Sequence, residues 1–359
     1  MATITGTNWH KTIQTHPIEF KTMKKIGLTL GKYAPLHAGH VHVFETALQE
    51  VDELYVLIYQ SSITSIPLNI RAQWIRDLFP QIHVIEAWDG PEGYSNDRAF
   101  EIEQENYIIQ KLNGVKISHF YSSEFYGAHV STALNAIDRR VDESRLQVPI
   151  SATMIRANAF QNRKFIPNCV YADLISKVVF VGAMSTGKST LVEALAKKYA
   201  TTFAPEYGRE YWETHQVDRR IGFEDFNIIA DRHIAYEDQA TLDANRYLFV
   251  DTNAITTAMF CMDYHGRLPE HLKLLALENA QRYDLFFLCE DDIAYDDTWD
   301  RSGPQKRAIF HQQIIADLKQ RRIPYIALTG SLEQRIAKVE QVLNQFVKFN
   351  NFFGSAFKP

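Results

Sequence analysis

Residues 26–51 read IGLTLGKYAPLHAGHVHVFETALQEV. The first third is an apolar strand ending at Gly31. The last third has the apolar spacing of a helix beginning near Gly39. Between them lies a turn with two glycines, a proline and two histidines, His37 and His40. Parallel α/β folds put their ligand sites at such strand-to-helix turns. Residues three apart lie on one helical face, and here that face is at the positive N-terminal end. Two imidazoles aimed from there suit an anion whose charge grows in a transition state, such as a reacting α-phosphate. Gly31 and Gly39 let a nucleotide approach the backbone, and Pro35 stiffens the turn. A structural histidine at a strand end is the plainer alternative, and the glycine frame argues against it.

The same signal recurs at KVVFVGAMSTGKSTLVEALAKKYA, residues 177–200. Gly182 to Ser189 match G-x-x-x-x-G-K-[ST] without a mismatch. In such a loop Gly182, Ser185, Thr186 and Gly187 let successive backbone N–H groups wrap a phosphate. Lys188 reaches the β- and γ-phosphates, Ser189 is placed for Mg²⁺, and Thr190 continues the helix start. A P-loop needs a second carboxylate for the metal at a neighbouring strand end. RYLFVDTN supplies Asp251, although a helix-capping Asp is the other reading.

Outward from these turns, apolar strand candidates alternate with helical stretches. ELYVLIY (53–59), QIHVIEAW (81–88) and KISHFYSS (116–123) follow the first turn, with helices at 70–79 and 99–112 between them. YLFVDT (247–252), DLFFLCE (284–290) and PYIALTG (324–330) follow the second, with helices to about 262, near 270–281 and 304–321, and over 331–347. This alternation predicts parallel βαβ units. The expected fold class is α/β, with two doubly wound parallel-sheet domains. The expected boundaries are an N-terminal extension at 1–23, domains at 24–172 and 173–350, and a tail at 351–359.

Other segments are assigned by their chemistry. PISATMIR (149–156) offers the hydroxyls of Ser151 and Thr153 and the fork of Arg156 to departing phosphates; Ser151 as a helix N-cap is the simpler reading. DDTWDRSGPQKR (296–307) reads as a polar lid carrying Arg301, Lys306 and Arg307. FAPEYGRE (203–210) places Glu206 to hold sugar hydroxyls or act as a base, and Arg209 to bind an anionic group. The three cysteines, Cys169, Cys261 and Cys289, lack metal-ligand spacing and read as buried thiols of a reducing compartment.

Composition sets the outer bounds. The chain has 359 residues, a net charge of −5, 46% apolar residues and 23% charged residues. It is long for one core, so two domains are expected. The acidic balance argues against a broad DNA-binding face. No run has the ~18 apolar residues of a membrane span, and the first residues are not a secretory signal, so a cytoplasmic protein is expected.

Taken together, GKYAPLHAGH followed downstream by ISATMIR resembles the H-x-G-H nucleotidyltransferase superfamily. The P-loop, EYGRE and the RKFIP segment (163–167) narrow the likeness. Residues 24 to 350 resemble the bifunctional NadR-type proteins, in which an NMN adenylyltransferase of Rossmann-like fold is fused to a P-loop ribosylnicotinamide kinase. The resemblance implies phosphorylation of nicotinamide riboside to NMN in the second domain, then adenylylation of NMN to NAD in the first. ATP is the co-substrate of both and Mg²⁺ the metal. His37 and His40 would stabilise the α-phosphate. Gly31, Lys32, Tyr33, Gly39, Ser151, Thr153 and Arg156 would hold that ATP. Lys188, Asp251 and Glu206 would be catalytic in the kinase, and Glu206, Arg209 and Asp251 would bind the riboside. YSSEFY (121–126) would close over adenosine, and Trp74 or Trp88 would stack on the nicotinamide ring, although core packing explains a Trp just as well. Some members begin with a helix-turn-helix domain. About 24 residues precede the first strand here, so DNA binding is not expected. The partners expected are small molecules only: ATP, nicotinamide riboside, NMN and NAD, with a homo-oligomer left open. A nucleotide-sensing regulator with one catalytically active domain is the alternative from another class. The full set of His37, His40, Lys188, Ser189 and Asp251 weighs against it, as the P-loop does against an aminoacyl-tRNA synthetase.

Overall fold

The computed structural model describes residues 24–91, 97–123, 127–218, 220–294 and 304–349. Strands rich in Val, Ile, Leu and aromatic residues build two five-stranded parallel sheets. The first contains β1 (Ile26–Gly31), β2 (Glu53–Tyr59), β3 (His83–Ala87), β4 (His119–Ser122) and β5 (Ile137–Arg140), in the order β3-β2-β1-β4-β5. The second contains β6 (Ser176–Val181), β7 (Phe203–Ala204), β8 (Tyr247–Asp251), β9 (Leu285–Cys289) and β10 (Ile326–Leu328), in the order β10-β9-β6-β8-β7. Every pairing is parallel. Parallel pairing needs crossovers, and helices supply them, covering both faces. The five residues of β8 are accordingly all buried.

In each sheet the order reverses beside the strand that carries the turn. β1 lies between β2 and β4, and β6 between β8 and β9. That opens a crevice at the carboxyl ends of the strands, where α/β folds bind ligands. The helices flanking the first crevice are α1 (Ala38–Glu50), α2 (Leu68–Leu78), α3 (Arg98–Leu112), α4 (Ala128–Ala133) and α5 (Ala152–Ala157). α6 (Asn168–Leu174) leads into the second sheet. There follow α7 (Lys188–Lys198), α8 (Tyr207–His215), α9 (Asp225–Asp243), α10 (Ala254–His265), α11 (Glu270–Glu278), α12 (Pro304–Gln320) and α13 (Leu332–Gln345).

Several expectations need correction. The lid stretch 296–307 is not all loop, because α12 begins at Pro304. Residues 295–303, with Arg301, lie outside the described residues, as do 1–23, 124–126 and 350–359. Cys169 is exposed, while Cys261 and Cys289 are buried. Trp74 is 2% exposed, and its indole N–H donates to Asp173 Oδ2 at 2.6 Å, so it fills the core and cannot stack on a base. Tyr121 is fully buried and donates to Glu50 Oε2 at 3.1 Å, so it does not close over a ligand. No described helix is long and apolar enough to cross a membrane.

Candidate active sites

The turn after β1 holds its histidines by their Nδ1 atoms. His37 is the N-cap of α1, and its Nδ1 accepts the Gly39 N–H at 3.1 Å. His40 Nδ1 accepts the His37 N–H at 3.3 Å, closing a capping box. The rings stack with centroids 3.8 Å apart. A neutral ring that accepts at Nδ1 carries its proton on Nε2. Burial and the charge of Arg145 lower His37 to about 4. His40 is held well below its ordinary value, first by burial and then by the charges of His37 and Arg145. Both rings are therefore neutral donors near pH 7. Gly39 is where it is because a Cβ would stand 3.0 Å from His37 Cε1.

Tyr33 adopts φ 46° and packs edge-on against His40, at 4.9 Å between centroids. The Lys32 carbonyl accepts from Arg71. Arg156 reaches from α5 to this turn, giving Nη1 to the Ala34 carbonyl at 2.7 Å and Nη2 to Thr153 Oγ1 at 3.1 Å. Ser151 caps α5 by accepting the Met154 N–H at 3.3 Å. Gly31, Lys32, Tyr33, Gly39, Ser151, Thr153, Arg156 and both histidines line one cavity of about 1340 Å³.

The turn after β6 is tighter. Gly182 adopts φ 149°, and a Cβ there would stand 2.6 Å from the Cys289 carbonyl oxygen. Gly187 adopts φ 75° and Ser185 φ 56°. Thr186 Oγ1 donates to the Ala183 carbonyl at 2.8 Å. Lys188 is buried, its Nζ donating to the carbonyls of Gly182 at 3.1 Å and Ala183 at 2.9 Å. Ser189 Oγ donates to Asp251 Oδ2 at 2.5 Å. Thr190 is exposed on α7.

Asp251 is 2% exposed, and its Oδ1 has no hydrogen-bond partner among the described residues. A buried carboxylate oxygen without a partner costs about 1–3 kcal/mol or more. Burial and then the charge of Glu206 push its carboxyl up to about 6, against the pull of Lys188 and Ser189. β7 pairs with β8, so Glu206 leaves the sheet beside the end that carries Asp251. Arg209 Nη2 stands 3.9 Å from Glu206 Oε2. Arg307 is buried in the first turn of α12, both Nη atoms donating to the Ile293 carbonyl at 3.0 Å. Trp88 is 54% exposed and donates to Glu86 Oε2 at 3.0 Å.

Two buried arginines that support the turns escape the sequence reading. Arg71, fully buried, donates to the carbonyls of Ile66 at 3.1 Å and Tyr59 at 3.0 Å, besides Lys32. Arg335 joins the Thr186 carbonyl at 2.6 Å, Gly330 at 3.1 Å and Glu290 at 3.1 Å, and pairs with Asp292. The available signal was a charged residue at a core-facing helical position, as in Leu68, Arg71, Ala72 and Ile75.

Residues 28–158 match the family described as Cytidylyltransferase-like, and residues 177–335 that described as AAA domain. The trifunctional NAD biosynthesis/regulator protein NadR of Salmonella typhimurium is 31% identical over 333 residues, 86% of this chain and 80% of the relative. The protein of the same name from Escherichia coli is 30% identical over 333 residues, with the same coverage. A solved structure of a NadR protein in complex with NAD and AMP-PNP has the same fold. Its TM-score is 0.55 at 22% identity, covering 89% of this chain and 96% of that one.

Proposed function

We propose, from the premise that this chain belongs to the NadR family, that it is a bifunctional NAD salvage enzyme using ATP twice. In the second half, around residues 173–350, the 5′-hydroxyl of nicotinamide riboside attacks the γ-phosphorus of ATP. A P–O bond forms to the riboside, the bond to the β–γ bridging oxygen breaks, and ADP leaves. In the first half, around residues 24–172, a phosphate oxygen of the resulting NMN attacks the α-phosphorus of a second ATP. The bond to the α–β bridging oxygen breaks, pyrophosphate leaves with the electron pair, and NAD remains.

The observation that carries this reading is a pair of phosphate-facing turns, each at the crevice of its own parallel sheet. In the first, the His37 and His40 Nε2–H groups donate to the α-phosphate as its charge grows. Their Nδ1 atoms are committed to the backbone, so little reorganises during the reaction. Ser151, Thr153 and Arg156, with Lys32 and the backbone at Gly31, Tyr33 and Gly39, hold the rest of that ATP.

In the second, the backbone from Gly182 through Ser185, Thr186, Gly187 and Thr190 cradles the other ATP, and Lys188 turns from its carbonyls to the β- and γ-phosphates. The partnerless Asp251 Oδ1 beside Ser189 Oγ fits a hard divalent cation, so these residues would hold Mg²⁺. Such an ion supplies charge neutralisation to the phosphates. Glu206 accepts the ribose hydroxyls or takes the 5′-hydroxyl proton, and Arg209 beside it binds an anionic group of the bound substrates. Arg307, in the first turn of α12, comes from the lid side.

The test is to incubate the full chain with ATP, Mg²⁺ and nicotinamide riboside and follow NMN and NAD by chromatography. Both should appear in that order. NMN without NAD, or NAD only from added NMN, would reduce the reading to one active half.

A further inference from the structure

The two histidines leave a charge unaccounted for. As neutral donors they stabilise the α-phosphate but bring no formal charge to a reaction that releases pyrophosphate. Arg156 already divides its fork between the Ala34 carbonyl and Thr153. A further cation stands at the same cavity. Arg145, in the loop between β5 and α5, lines it together with His37 and His40. Its charge is felt at both rings.

The loop is built to present that side chain. The Asp142 carboxylate accepts the N–H groups of Leu146 at 2.8 Å, Gln147 at 3.1 and 3.2 Å, and Val148 at 2.9 Å. The Arg145 N–H donates to the Asp142 carbonyl at 2.8 Å. Arg145 adopts φ 52° and Asp142 φ 47°, each a left-handed conformation costly for a residue with a Cβ. Such backbone persists where its surroundings fix it, and it clusters at binding sites. The side chain is exposed, so it meets a ligand without leaving a core.

Topology says which phosphate it meets. β4 and β5 lie on one side of β1, and β2 and β3 on the other. The Arg145 loop leaves β5 and runs into Ser151 and α5, on the side assigned above to the phosphates of ATP.

We propose that Arg145 is a further catalytic residue of adenylyl transfer, its guanidinium contacting the β- and γ-phosphates of ATP and taking up the charge that grows on pyrophosphate as the α–β bridge breaks. This rests on the adenylyltransferase reading of the first half. The experiment compares full-length wild type, Arg145→Ala and Arg145→Lys. With NMN and ATP, Arg145→Ala should lose on the order of 10²-fold in kcat, as for removal of one preorganised charged donor, with the KM for NMN little changed. Product inhibition by pyrophosphate should weaken about tenfold, with loss of one charge-assisted contact worth about 1.4 kcal/mol. Arg145→Lys should recover part of kcat, since it keeps the charge but not the fork. Riboside phosphorylation should be unchanged in both variants, reporting an intact fold. A wild-type kcat in Arg145→Ala, or a loss confined to the KM for NMN, would overturn the proposal. If wild type itself makes no NAD from NMN, the adenylyltransferase reading falls and the proposal with it, a failure visible before any variant is made.

Discussion

His37 and His40 are held in the same tautomer by backbone N–H groups. The Nδ1 of His37 takes the Gly39 N–H, the Nδ1 of His40 takes the His37 N–H, and the stacked rings are left with Nε2–H as their only donors. His40→Ala should therefore reduce NAD formation from NMN by on the order of 10²-fold or more, while riboside phosphorylation stays near wild type. His40→Asn can still accept the His37 N–H but presents no ring N–H at the same place. Its rate should stay low although α1 remains capped. An Asn variant as active as wild type would show that the Nε2 donor is not needed.

Burial and the charge of Arg145 set a pH dependence. His37 has a folded-state value of about 4, below the ordinary value of 6.5. The unfolded chain thus binds the proton first. Stability from this group is intact above about pH 6.5 and declines as the pH falls toward 4. Adenylyl transfer should show no inflection from either ring between about pH 6 and 8. A rate that follows a group titrating near 6.5, and loses that dependence in His37→Gln, would mean that a ring is charged in the working enzyme.

Lys188→Ala separates the two reactions from the other side. The ammonium is buried among P-loop carbonyls and has no role at the first sheet. Riboside phosphorylation should fall by on the order of 10²-fold or more, and NAD formation from added NMN should persist. Loss of both activities, with the fold intact by circular dichroism, would contradict independent sites.

How far the sequence reached depended on distance along the chain. The β1 and β6 turns were legible because strand, glycines and helix start are contiguous. Asp251 was legible because a strand-end carboxylate is what a P-loop needs. Of the two short edge strands, β7 was legible at the end of TTFA (201–204), one helix length after the P-loop, whereas β5 is IDRR, polar and without alternation. α9 went unread because IIADRHIAYEDQ (228–239) hides its buried Ile229, His233 and Glu237 among charges. Trp74 read equally well as core or stacking residue until Asp173, 99 residues away, claimed its N–H. Arg335 has its P-loop partner 149 residues off, so no local pattern announces it.

Asp251 shows a site held at the expense of stability. Its carboxylate is buried, faces the charge of Glu206 and has one oxygen without a partner. Asp251→Asn removes the charge and keeps an acceptor for Ser189. The metal-free variant should melt a few degrees higher than wild type near pH 7, an effect of about 1 kcal/mol, while losing riboside phosphorylation. Added Mg²⁺ should raise the melting temperature of wild type and not of the variant. A variant that melts lower than wild type without metal would show that the buried charge is already compensated.

Glu206 decides whether the acceptor is held where β7 ends. β7 is the edge strand beside β8, and Glu206 follows it by two residues, at the N-cap of α8. It makes no capping bond there, and Arg209 of the same helix stands 3.9 Å from its Oε2. Its charge is felt at Asp251, which fixes it on the reacting side of the sheet. A carboxylate at that point can accept from both ribose hydroxyls, and a carboxamide of the same size has only one oxygen to offer. Glu206→Gln should therefore lower kcat/KM for nicotinamide riboside by about 10-fold or more, the equivalent of one charge-assisted hydrogen bond at about 1.5–3 kcal/mol. The KM for ATP should change little, because Lys188 and the P-loop backbone are untouched. NAD formation from NMN should be unaffected. A 2′-deoxyriboside leaves the carboxylate with one hydroxyl, so wild type should discriminate against it and Glu206→Gln should discriminate less. If the variant phosphorylates the riboside with wild-type kinetics and the two acceptors are ranked as before, the ribose is held by other groups.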